Sequence, residues 1–63
     1  MTYEQIAKAA VAELHDKHAV SVEIDMHEPS CLLESELKYA FALYDTPERG
    51  EEIVNRMIAA SLE

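Results

Sequence analysis

Glycine and cysteine each occur once in this chain, tryptophan does not occur at all, and five bases stand against thirteen acids. Each scarcity removes a class of function. With Gly50 as the sole glycine, there is no Gly-rich loop to cradle a phosphate. A lone Cys31 excludes an intramolecular disulfide and suits a reducing, cytoplasmic setting better than an oxidising one. No run of about 20 apolar residues is present and the N-terminus is neither basic nor continuously apolar, so neither a membrane span nor a signal peptide is expected. The net charge of −8 opposes direct contact with nucleic acid or with an anionic membrane surface. A chain of 63 residues makes a single small acidic domain, 1–63. A domain of that size hides only about 60% of the surface its unfolded chain exposes, so dimerisation or a partner is a reasonable supplement to its stability.

What is present is mostly helical periodicity. Thr2 followed by Gln5 is a capping-box start, and Tyr3, Ile6, Ala7, Ala10, Val11 and Leu14 recur at helical spacing, which predicts a first helix from Tyr3 to Lys17. Pro29 or Ser30 opens a second helix carrying two apolar stripes: Leu33, Leu37, Ala40, Phe41 and Tyr44 on one face, Leu32, Tyr39 and Leu43 on the adjoining one. That face is too wide for one neighbour and predicts contact with a second chain or a docked partner. Asp45, Thr46 and Pro47 stop this helix and cap a third, from Glu48 to Ser61, whose stripe is Ile53, Val54, Met57, Ile58 and Leu62.

One stretch, Ala19 to Ser30, departs from this pattern. Val20, Val22, Ile24 and Met26 alternate with Ser21, Glu23, Asp25 and His27, which reads as a half-buried strand. No second run alternates in the same way. The expected fold class is therefore α+β, predominantly helical, in the order helix-strand-helix-helix, with the single strand pairing with a second copy or a partner. The order strand, helix, helix is similar in outline to the ribbon-helix-helix repressors. That resemblance implies a dimeric ribbon in the DNA major groove, yet the outward residues here, Ser21, Glu23 and Asp25, would meet phosphates with negative charge.

Charge order along the chain narrows the reading. Each base follows an acid by four positions: Glu4 and Lys8, Glu13 and Lys17, Glu34 and Lys38, Asp45 and Arg49, Glu52 and Arg56. On a helix this is the favourable order, with Asp45 and Arg49 separated by a turn. The acids left over are Asp16, Glu23, Asp25, Glu28, Glu36, Glu48, Glu51 and Glu63, and five of these eight lie between positions 16 and 36. They gather around the alternating stretch.

Chemistry-bearing constellations are sparse. His15, His18, His27 and Cys31 are the one soft ligand set, but closed zinc sites carry more cysteine, and histidines near a helix C-terminus are explained by the dipole. Asp25, His27 and Glu28, with Ser21, Ser30 or Cys31 as nucleophile, are neighbours in sequence without a pocket to converge in. No catalytic, cofactor or metal residues are assigned. The composition instead favours a non-enzymatic acidic protein-binding module, an inhibitor or adaptor engaging a basic, nucleic-acid-handling protein, as phage anti-restriction and anti-CRISPR proteins do. The expected contact residues are Asp16, Glu23, Asp25, Glu28, Leu32, Tyr39 and Leu43. The alternatives are a homodimeric assembly module docking on a dedicated partner through helix two, and a small zinc-binding domain.

Overall fold

Capping chemistry starts the first and third helices where the sequence signals them. In the computed structural model, which describes residues 1–62, Thr2 and Gln5 close a reciprocal box: Gln5 N–H donates to Thr2 Oγ1 at 3.1 Å and Thr2 N–H to Gln5 Oε1 at 2.9 Å. Helix α1 runs Tyr3–His18, α2 runs Ser30–Tyr44 and α3 runs Pro47–Ser61. Thr46 caps α3 by accepting from Arg49 N–H at 3.2 Å, with Pro47 in the first turn. Helix α2 has Pro29 at its cap and no side-chain cap. No helix among the described residues is long and apolar enough to cross a membrane.

The helices enclose one core. Ile6, Ala7, Ala10 and Leu14 of α1 meet Leu33, Leu37, Ala40 and Phe41 of α2 and Ile53, Val54 and Met57 of α3, all buried. The larger of the two predicted α2 stripes is thus core, except for Tyr44, which stays 47% exposed. Gly50 is buried between α2 and α3: a Cβ built there would lie 2.9 Å from Phe41 Cβ and 3.3 Å from Lys38 Cα. A glycine costs helix propensity in the first turn of α3, and here its missing side chain is what lets the two helix backbones approach.

The expected α+β class is overturned. Among the described residues no strand forms, and the fold is a small three-helix globule. Helix α1 ends at Ala19, held in the left-handed region at φ 55°, and the chain returns through an irregular connector to α2. Period-two alternation survives in that connector without a ladder. Val20, Val22, Ile24 and Met26 are half-buried against the core, while Ser21, Glu23, Asp25 and His27 are exposed. The N–H groups of Ser21 to Met26 donate to no described residue. The alternation reports an apolar side pressed on helices, not a paired sheet, and the likeness to a ribbon-helix-helix arrangement falls with the strand.

Polar ties lock the helix ends. Glu13 of α1 accepts two hydrogen bonds from the Arg49 guanidinium of α3, from Nη2 at 2.6 Å and Nε at 2.9 Å, and one from Lys17 at 3.3 Å. The Arg49 fork holds the Glu13 carboxyl down at about 2. Tyr3 Oη donates to Glu34 at 2.8 Å, joining the start of α1 to α2. His18 Nε2 and Asp45 Oδ2 meet at 2.9 Å, joining the ends of α1 and α2.

Two predictions follow from these contacts. Gly50→Ala gains helix propensity worth about 1 kcal/mol but overpacks a helix contact, which costs about 1–3 kcal/mol. The net result expected in urea unfolding followed by circular dichroism is a loss of roughly 1 kcal/mol; a variant more stable than the parent contradicts the close approach. Because the folded Glu13 pKa lies below the ordinary value of 4.5, its contribution is complete above that pH and is lost as pH falls toward about 2. Arg49→Met is expected to remove about 2 kcal/mol near neutral pH and to flatten the acid limb of the stability curve between pH 4.5 and about 2.

Candidate functional site

The connector and α2 together form the most distinctive surface. Leaving α1, the chain lays Val22 and Ile24 beside Ala40, and this packing turns Glu23 and Asp25 outward. The resulting groove holds about 460 Å³ and is open to solvent, with Tyr39 on its α2 side and Glu28 and Glu36 on its rim. Tyr39 is 70% exposed, unusual for so large an aromatic side chain in so small a protein. Leu32 and Leu43, 53% and 56% exposed, share its stripe. At 100° per residue Leu32, Tyr39 and Leu43 fall within about 40° of one another around α2.

The groove is acidic without an internal counter-ion. Glu23, Asp25, Glu28 and Glu36 pair with no lysine or arginine among the described residues. Asp25 is partly committed locally: Oδ1 accepts from His27 N–H at 2.9 Å and its carbonyl from Glu28 N–H at 3.1 Å, a turn that ends the connector. Glu28 Oε2 is buried without a hydrogen-bond partner. Burial, then the neighbouring Glu36 charge, a carboxyl–carboxyl hydrogen bond to Glu36, and lastly the Asp25 charge push the Glu28 pKa up.

The seven residues expected from sequence divide into three groups. Glu23, Asp25, Glu28 and Tyr39 line the groove together. Leu32 and Leu43 lie on the same α2 stripe as Tyr39 but do not line the groove. Asp16 is not brought to this surface; it sits exposed near the end of α1 with His15 Nδ1 3.7 Å away. Sequence reasoning missed Glu36 as a site residue, although its position three before Tyr39 puts both on neighbouring parts of one helix surface. Charge pairing is also redrawn. Glu4 with Lys8 and Glu13 with Lys17 form as expected, whereas Asp45 takes His18, Glu34 takes Tyr3, and Arg49 bridges Glu13 and Glu52. Lys38 and Arg56 are left without an ion pair among the described residues.

The proposed soft-metal set does not assemble. His18 is engaged with Asp45, His15 stands by Asp16, and Cys31 is exposed on α2; among the described residues no three His, Cys, Asp or Glu groups converge to hold an ion. A second acidic surface on α3, lined by Glu48, Glu51, Glu52 and Asn55, includes Arg56 as its own cation. No family model matches the chain, and no curated protein or solved structure matches it either.

Glu28 supplies a direct check of this electrostatic arrangement. Its folded pKa lies above its unfolded value, so the folded state binds the proton more tightly, and the group favours folding least once pH has risen through the folded pKa. Glu28→Gln, which keeps the shape and removes the charge, is expected to raise stability at neutral pH, with the gain fading below about pH 4.5 where the parent carboxyl is itself protonated. Urea midpoints of both proteins at neutral pH and at low pH measure this; a variant equally or less stable at neutral pH contradicts the like-charge crowding.

Proposed function

We propose that this chain is a non-enzymatic acidic protein-binding module, an inhibitor or adaptor that engages a basic protein surface of the kind that nucleic-acid-handling proteins present. One observation carries the reading: Glu23, Asp25, Glu28 and Glu36 surround a shallow apolar groove and none has a basic partner, while three of the five bases are tied to Glu4, Glu13 and Glu52 elsewhere. Uncompensated carboxylates around apolar side chains attract a cationic surface from a distance and give it something to dry against on contact. Phage anti-restriction and anti-CRISPR proteins, small and acidic, are the class this combination suggests, acting in the cytoplasm on a DNA- or RNA-binding target. Direct nucleic-acid binding is disfavoured by the same charge.

A second reading draws on a different observation, the exposed α2 stripe of Leu32, Tyr39 and Leu43. Such a patch is the surface through which a homodimeric assembly module would associate, with the acids serving solubility. The two readings separate on salt and on mutation.

Binding to purified restriction nucleases and RNA-guided effector complexes is measured at rising ionic strength. Affinity is expected to fall steeply between about 0.01 M and about 0.1 M, as the Debye length shrinks from about 30 to about 10 Å, and the Glu23→Lys, Asp25→Lys double variant is expected to abolish it. Salt-independent binding that survives charge reversal but is lost in Leu32→Ala or Leu43→Ala supports the hydrophobic stripe instead. Native mass spectrometry of the free protein reports whether that stripe already joins two copies.

A further inference from the structure

The acidic groove has features that plain negative charge does not require, and these select among cations. Its floor is aliphatic, from Val22, Ile24 and Ala40. Its α2 wall is the exposed ring of Tyr39. Glu28 and Glu36 stand close enough to crowd each other's charge and to hydrogen-bond when one carboxyl is protonated, and Oε2 of Glu28 is shielded from water with no donor from any other described residue. An ammonium group is compact and strongly hydrated, so it gains little from an aromatic wall or a dry oxygen. A guanidinium is planar, weakly hydrated, stacks on aromatic faces and offers parallel N–H groups to carboxylates. Its three-methylene stem covers aliphatic surface while the head remains polar. The groove's volume, about 460 Å³, is far too large for a lone ion and suits a side chain together with some of its own backbone.

We infer that the groove between the connector and α2 is a docking site for an arginine-bearing segment of a partner protein, whose guanidinium lies against Tyr39 and across the neighbouring carboxylates of Glu28 and Glu36. This rests on the reading of the chain as an acidic protein-binding module and names the partner feature its groove takes. Charge complementarity decides the occupant. A second copy of this chain would bring another net −8 to the same surface, whereas an arginine segment supplies the counter-charge that Glu28 and Glu36 lack. The α3 surface around Glu51 is a control inside the same molecule: it is acidic too, but Arg56 already sits in it and no aromatic residue lines it.

Two-dimensional amide NMR of the folded protein, titrated with a short arginine peptide and separately with a lysine peptide of equal length, tests the assignment. Shifts are expected to concentrate at Val22 to Glu28 and Glu36 to Ala40, with the arginine peptide binding several-fold more tightly than the lysine peptide. Tyr39→Ala should remove most of that preference, Glu36→Gln should weaken the arginine peptide about tenfold, and Glu51→Gln should leave it nearly unchanged. Tyr39 and Glu36 are exposed, so neither variant threatens the core, and the unbound spectra verify the fold. Equal binding of the two peptides with shifts spread over both acidic surfaces overturns the arginine site while leaving the broader acidic-module reading in place. An absence of binding by either peptide at low salt overturns both.

Discussion

The structure depends on how a connector closes a three-helix core. Helices of 15 and 16 residues leave a seam beside α1 and α2 that their own side chains do not seal. Val20, Val22, Ile24 and Met26 seal it from the connector, and sealing with every second residue forces the intervening ones outward. Glu23 and Asp25 are therefore exposed by the packing of their neighbours. Replacing the alternation with a helical period would move acid into the seam and apolar side chains into water. The acidic surface and the hydrophobic core are two sides of one short segment.

Charge distribution follows from the same economy of elements. The bases that pair are drawn to the seam of α1 with α3 and to the outer face of α1, where Arg49 bridges Glu13 and Glu52, Lys17 joins Glu13, and Lys8 joins Glu4. Glu13 is the exception among the carboxylates, because a planar guanidinium satisfies both of its oxygens in a partly buried place. Glu28 experiences the opposite environment, with burial and a like charge and no cation. One carboxylate is thus held low and another pushed high within a protein of 63 residues. Polarity of this kind separates a face that stabilises the fold from a face that is left wanting a counter-charge.

Much of the fold is legible in the sequence because helix signals are local. The Thr2–Gln5 box, the Thr46–Pro47 start and the apolar periods of all three helices depend on residues within a turn of one another, and their boundaries agree with the structure to within a residue. The α2 stripes also divide as their spacing implies, Leu33, Leu37, Ala40 and Phe41 inward and Leu32, Tyr39 and Leu43 outward. What escapes the sequence is every feature set by long-range packing. Gly50 carries no local sign that Phe41 lies against it, and Arg49 no sign that it reaches Glu13 rather than Asp45. Grouping Glu36 with Glu23, Asp25 and Glu28 likewise requires knowing that the connector folds back along α2.

The mistaken strand is instructive because its side-chain pattern is correct. A period of two states that alternate side chains face opposite ways; it does not state what meets the backbone. Here helices cover the apolar side, and the N–H groups from Ser21 to Met26, which donate to no described residue, have water as their acceptor instead of a second strand. Pairing two copies edge to edge would bring the Glu23 and Asp25 carboxylates of both chains together, and like charges across a strand pair are destabilising. Outward charge is a common means by which an open edge is kept from recruiting another. The residues that make the connector attractive to a cation are therefore the ones that keep it from becoming the strand its alternation predicts.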